Sequence, residues 1–211
     1  MLEVKDISAS KDGQTLFRGV SFTVADGEAA AVSGDQGGGL TLLLHAIMGL
    51  YPLDEGHVSI DGELLTPLSV VEFRKLMAYI PTETPQTGGT VEALLRLPFG
   101  LEANRKKPFS RQSLLEEWRL LGLDEGVLRQ RVADISAQER QLAMLSLAGV
   151  LAKPIVLVDS MAALAGTNGE ALAADYLLRL ARRGSSVVAV AGSGSFSARF
   201  EKHISLTSAA F

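Results

Sequence analysis

Apolar and polar residues alternate at the start of the chain. Leu2-Glu3-Val4-Lys5-Asp6-Ile7 has the pattern of a strand with one buried face. Lys11-Asp12-Gly13-Gln14 predicts a turn, and residues 17–24, β-branched and aromatic, predict a second strand. After an Asp26-Gly27 turn, Ala29-Ala30-Ala31-Val32-Ser33 is a short unbroken apolar run ended by glycines. That pattern suits a strand covered on both faces. Residues 40–48 have the length and composition of a buried helix, with Gly49 near its end. Strands around 58–60 and 77–80 flank a helix near 70–75. The stretch 90–151 reads as mostly helical, interrupted by a polar, basic loop at 102–107. Residues 155–158 and 187–191 predict two more buried strands, on either side of a helix at 169–183 closed by Gly184. Buried strands alternating with helices predict a parallel α/β core. The antiparallel opening and the helical middle read as lobes added to it.

Composition narrows the picture. The 211 residues suit one domain, and a hydrophobic fraction of 47% is ample for its core. With no cysteine, disulfides, thiolate metal sites and cysteine nucleophiles are excluded. The net charge of −4 provides no excess of Lys and Arg to displace counterions, so nucleic acid is not an expected partner. The longest apolar run, 142–152, stops at Lys153-Pro154, short of the ~18 residues that a membrane span needs. Charges at Glu3, Lys5 and Asp6 argue against a signal peptide. A soluble, cytosolic unit is expected.

The candidate chemistry lies in Gly34-Asp35-Gln36-Gly37-Gly38-Gly39-Leu40-Thr41, between a buried strand and a helix. Glycines there let backbone N–H groups turn inward, and the helix N-terminus adds positive potential, which is the physics of a phosphate-binding loop. The pattern requires Gly, four residues, Gly, Lys, then Ser or Thr. Gly34, Gly39 and Thr41 fit it; Leu40 takes the place of the lysine. Further segments follow in order: Tyr51-Pro52 to Ile60-Asp61-Gly62, Ala78-Tyr79-Ile80-Pro81-Thr82-Glu83, Ile135-Ser136-Ala137-Gln138-Glu139-Arg140-Gln141, and Lys153-Pro154-Ile155-Val156-Leu157-Val158-Asp159. Through these the chain resembles the nucleotide-binding subunit of ABC transporters over essentially its whole length.

The resemblance implies an α/β, P-loop NTPase-type cassette: a parallel-sheet core, an N-terminal antiparallel β lobe and a helical signature lobe at about 90–150, all within one domain over 1–211. It assigns Gly34, Gly37, Gly39 and Thr41 to the phosphate loop, Ser136 to the LSGGQ-like signature and Asp159 to Walker B. It also shows where this sequence departs from the pattern. Leu40 supplies no charge for the phosphates, and each charge-assisted hydrogen bond lost costs roughly 1.5–3 kcal/mol. Ser160 follows Asp159 where the family has a glutamate base, a loss worth about 10²–10⁴ in rate. Thr82 replaces the Q-loop glutamine, Ala137 and Gln138 replace the signature glycines, and Gly166 replaces the D-loop aspartate. Gly192 stands where the switch histidine belongs. The adenine platform falls near Ser10, with no aromatic residue before Phe17.

The expectation is a non-catalytic, pseudo-ATPase subunit with no catalytic residues and no resident metal, in which binding of ATP and Mg²⁺ is weak. It would lie on the cytoplasmic face of a cell membrane, paired with a permease and with a second nucleotide-binding subunit, the same chain or a different one. Two alternatives stand beside it: a functional ATPase with atypical motifs, and a scaffold outside transport.

Overall fold

The computed structural model describes residues 1–34, 39–84 and 88–206. Its first two strands, β1 (Leu2–Lys11) and β2 (Gln14–Val24), form an antiparallel hairpin. The turn between them holds Asp12 at φ 52° and Gly13 at φ 80°. Two successive positive φ values match the twist of the strands they join, which is why Asp-Gly occurs there. β3 (Ala29–Gly34) then enters the core and α1 (Leu40–Ile47) leaves it. β4 (Glu55–Ile60) and β5 (Glu63–Leu64) complete a four-stranded antiparallel sheet in the order β2-β1-β4-β5.

α2 (Val70–Lys75) leads into β6 (Met77–Ile80). The helical part follows as α3 (Val91–Arg96), α4 (Arg111–Leu120) and α5 (Ala137–Leu151), with 3₁₀ turns at Leu97–Gly100, Glu102–Asn104 and Glu125–Arg129. β7 (Ile155–Val158), α6 (Asn168–Arg182), β8 (Ser186–Val190), α7 (Gly194–Ser197) and β9 (Lys202–Leu206) close the chain. The second sheet is parallel throughout, in the order β6-β7-β8-β3-β9.

Residues of the parallel strands point alternately to its two faces, and both faces are buried. Ala29, Ala31, Val156, Val158, Val187 and Ala189 face a core shared with α3, α4, α5 and α6. Ala30, Val32, Ile155, Leu157, Val188 and Val190 face a second core, shared with α1 and the antiparallel sheet. This two-sided burial accounts for the unbroken apolar runs in the sequence.

The helices predicted near 40–48, 70–75 and 169–183 and the strands at 77–80 and 155–158 are present with little displacement. Three elements were not foreseen: β5, α7 and the edge strand β9. The loop expected at 102–107 begins with a 3₁₀ turn, because Asn104 is buried and donates from Nδ2 to the Pro98 carbonyl at 2.9 Å.

Candidate functional site

β3 brings the chain to Gly34 at the C-terminal end of the parallel sheet, and α1 departs from Gly39. Gly37, assigned to the phosphate loop by resemblance, lies outside the described residues. Gly39 is the N-cap of α1 at φ 78°, and a Cβ there would stand 3.2 Å from the Leu16 Cβ. Conformation and close approach both require glycine. Leu40, the next residue, is half-buried against the core that contains α1, so its apolar side chain is satisfied without a ligand.

Thr41 and Asp159 are brought together from opposite ends of the chain. The Thr41 hydroxyl lies 2.9 Å from Asp159 Oδ2 and 3.1 Å from Oδ1, spanning the carboxylate. Asp159 follows β7 and is only 2% exposed. A carboxylate so buried needs donors, and it has them. The Ser160 N–H donates to Oδ1 at 2.8 Å, and the Tyr79 hydroxyl donates to Oδ2 at 3.1 Å. Burial first, and then the charge of Asp159, push the Tyr79 hydroxyl well above the ordinary tyrosine range. It therefore remains a protonated donor. His45 Nε2 sits 3.3 Å from the same hydroxyl. Since tyrosine has one proton and Asp159 receives it, His45 is the donor in that contact.

Beyond Asp159, the facing positions Ser160 and Gly192 are small and neutral. A Cβ on Gly192 would lie 3.8 Å from Ser160 Oγ, so the residue after Walker B and the place assigned to the switch histidine face each other. Buried Gln141 fixes this loop, donating to the Ser160 carbonyl at 3.2 Å and accepting from the Ala163 N–H at 3.0 Å. Glu170 ties it to the loop after β8. Its carboxylate accepts from the Ser193 hydroxyl, from Ser195 Oγ at 3.1 Å and from the Gly166 N–H at 3.3 Å. The Ser193 bond is the main reason its acidity lies on the strong side of the usual carboxylate range.

Ser136 is the N-cap of α5. Its hydroxyl accepts from the Glu139 N–H at 3.1 Å and donates to the Glu139 carboxylate at 2.6 Å, while its own N–H donates to that carboxylate at 2.9 Å. This capping box engages the serine within its own turn. Gln138 folds back on the start of α6: a Cβ on Gly169 would stand 2.8 Å from its Nε2. Near the place assigned to the adenine platform, Ser10 Oγ donates to Asp54 at 2.6 Å and the Tyr51 hydroxyl donates to the Ser10 carbonyl at 2.8 Å.

The structure thus joins Thr41 to Asp159 and sets Gly34 and Gly39 on either side of the loop. Ser136, engaged with Glu139, bonds to neither Thr41 nor Asp159. Tyr79, His45, Gln141 and Glu170 belong to the site's surroundings; Tyr79 and Gln141 lie within the motif segments at 78–83 and 135–141 but had no role assigned to them, His45 follows Thr41 by one helical turn, and Glu170 had no local cue. Thr41 and Asp159 offer hard oxygens of the kind Mg²⁺ takes alongside nucleotide phosphates. No cluster of three or more His, Asp or Glu side chains able to hold a metal on its own occurs among the described residues.

A parallel sheet with a Thr–Asp pair at its strand ends, covered on one face by an antiparallel sheet and on the other by helices, is the architecture of an ATP-binding cassette. The match to the ABC transporter family model covers residues 17–163, and the chain belongs to that family. A solved cassette in a dimeric, post-hydrolysis state bound to ADP and Pi superposes on it with a TM-score of 0.83 at 21% identity, covering 100% of this chain and 97% of that one. At that identity the likeness concerns the fold. The ATP-dependent lipid A-core flippase of Syntrophus aciditrophicus is 24% identical over 193 residues, 89% of this chain and 32% of the flippase. The cytochrome c biogenesis ATP-binding export protein CcmA of Salmonella typhi is 48% identical over 65 residues, 31% of this chain and 32% of CcmA. The chain therefore spans about a third of the length of these curated relatives. No helix among the described residues is long and apolar enough to cross a membrane.

Proposed function

We propose that the chain is a non-catalytic cassette subunit of a membrane transporter complex. It would act at the cytoplasmic face of the membrane as structural or regulatory partner of a permease and, where one is present, of a second, competent ATPase subunit. One observation carries the reading. Around the loop where water would be activated, Ser160 faces Gly192, and neither has a group basic at neutral pH. Leu40, packed into the core, adds no charge for a triphosphate.

An apolar groove of about 660 Å³ lined by Leu50, Tyr51, Pro52, Leu65, Pro67 and Val70 supports a role in partner binding. Beside it in sequence, Leu68 is 96% exposed and Val71 60%. Apolar side chains left this open on a folded surface are characteristic of sites that are covered in an assembly.

Calorimetry with Mg·ATP tests the reading directly. Binding weaker than millimolar, with no phosphate release, is expected; micromolar affinity overturns it. The intact Thr41–Asp159 contact favours a second reading, an ATPase with atypical motifs whose missing groups a partner supplies. Phosphate release by the assembled complex that disappears in Asp159→Asn would establish that reading instead. Recovery from membranes with only soluble partners would point to a scaffold outside transport.

A further inference from the structure

The basic run Arg105-Lys106-Lys107 takes no part in the Thr41–Asp159 site, but the fold gathers further charge around it. Lys153, on the connection from α5 to β7, donates from Nζ to the Lys75 carbonyl at 2.8 Å and to the Ala103 carbonyl at 3.2 Å. It thereby ties the end of α2 to the 3₁₀ turn at Glu102–Asn104. Lys107 Nζ donates to the Leu151 carbonyl at the end of α5, 3.1 Å away. Arg105 and Lys75 are paired on the surface with Glu102 and Glu72. Lys106, Lys107 and Lys153 form no ion pair among the described residues. Glu117, whose charge reaches Lys107, is already held by Tyr176 and Arg183. Burial, and then the Lys107 ammonium, hold Lys153 below the ordinary lysine range, and burial does the same to Lys107. The patch is therefore positive on a chain of net charge −4, and its charges oppose one another. An anion brought to it relieves that opposition.

Apolar side chains stand open around the same charges. Leu97 begins the first 3₁₀ turn of this segment and Leu101 immediately precedes the second; each is 59% exposed. Leu76, next to Lys75, is exposed as well. A free anion would use the lysines and leave these leucines in water. A headgroup layer with acyl chains beneath it satisfies both kinds of group. We infer that this surface rests against an anionic lipid bilayer, its lysine ammonium groups meeting headgroup phosphates while Leu97 and Leu101 enter the interface. The inference deepens the membrane-face location proposed above, and it requires neither nucleotide nor permease.

Sedimentation of the full chain with protein-free vesicles tests it. Vesicles containing phosphatidylglycerol are expected to carry the protein down at low salt, and vesicles of phosphatidylcholine alone are not. Each basic side chain near such a surface contributes roughly five-fold, so Arg105→Gln with Lys106→Gln is expected to weaken binding about ten-fold or more. Leu97→Ser with Leu101→Ser is expected to weaken it about ten-fold or more while preserving its dependence on salt. All four positions are exposed, so melting temperatures near that of the wild type are expected. If the leucine variant melts much lower, the charge variant alone decides. Equal sedimentation with both lipids, or charge-variant binding equal to that of the wild type, overturns the inference. Displacement by millimolar inorganic phosphate at constant ionic strength assigns the lysines to a free anion and overturns it too. Retention on native membranes but not on protein-free vesicles also overturns it, in favour of a protein occupant, and leaves the transporter reading standing.

Discussion

Gly149 gives a prediction in which two physical effects oppose each other. It sits within α5, where alanine is normally preferred by about 1 kcal/mol. Its surroundings reverse that expectation. A Cβ there would lie 2.5 Å from the Glu117 carboxylate and closer still to the Tyr176 hydroxyl. Glu117 is 8% exposed and accepts from Tyr176 at 2.7 Å and from Arg183 Nη1 at 2.7 Å, joining α4 to α6 across the back of α5. Forcing a methyl group into this junction costs about 1–3 kcal/mol in overpacking. Displacing the carboxylate from one charge-assisted bond costs roughly 1.5–3 kcal/mol more. With the helical preference subtracted, Gly149→Ala is expected to destabilise the protein by about 1.5–5 kcal/mol. Urea denaturation followed by circular dichroism measures this as a lower midpoint at an unchanged slope. A variant as stable as the wild type, or more so, would refute the reasoning. Glu117→Ala combined with Gly149→Ala should cost less than the sum of the two single changes, since both act on one contact.

Other consequences are simpler to state. Ser136→Ala removes the α5 cap and should lower stability by about 0.5–2 kcal/mol in the same assay. Glu170 titrates below its unfolded value, so its contribution is present above about pH 4.5 and is lost as pH falls through the lower folded value. Glu170→Gln should therefore lower stability most at neutral pH and progressively less as the pH falls, which flattens the acid limb of the stability profile. Glu139, lowered chiefly by the Ser136 hydroxyl, adds to the same acid limb, so Ser136→Ala should shrink it as well.

What the sequence revealed and what it concealed divide along physical lines. The strands at 155–158 and 77–80 were legible because a strand buried on both faces leaves an unbroken apolar run bounded by polar residues. β9 was not: Lys202-His203-Ile204-Ser205-Leu206 alternates, but an edge strand this short is decided by its pairing with β3. Thr41 and Asp159 could be read because each lies in a local motif. Tyr79 stands 80 residues from Asp159 and 34 from His45, and no local pattern encodes either contact. Ser136 stands at the start of α5 with its bonds spent on Glu139, an outcome that the S-x-x-E spacing itself foretells. His45 stands in the hydrogen-bond chain leading to Asp159 through a contact between α1 and β6 that no local pattern encodes.

The run of alanines in β3 has a mechanical consequence. Ala30 is fully buried on the face that α1 covers, along with Leu43, Leu44 and Ile47 of that helix. The methyl group sets how closely α1 lies against the sheet. Because α1 carries both Thr41 and His45, its standoff from β3 also sets the reach of those side chains to Asp159 and Tyr79. A single interior methyl group thus works as a spacer for a polar corner it never touches, and thickening it would pry that corner open from within.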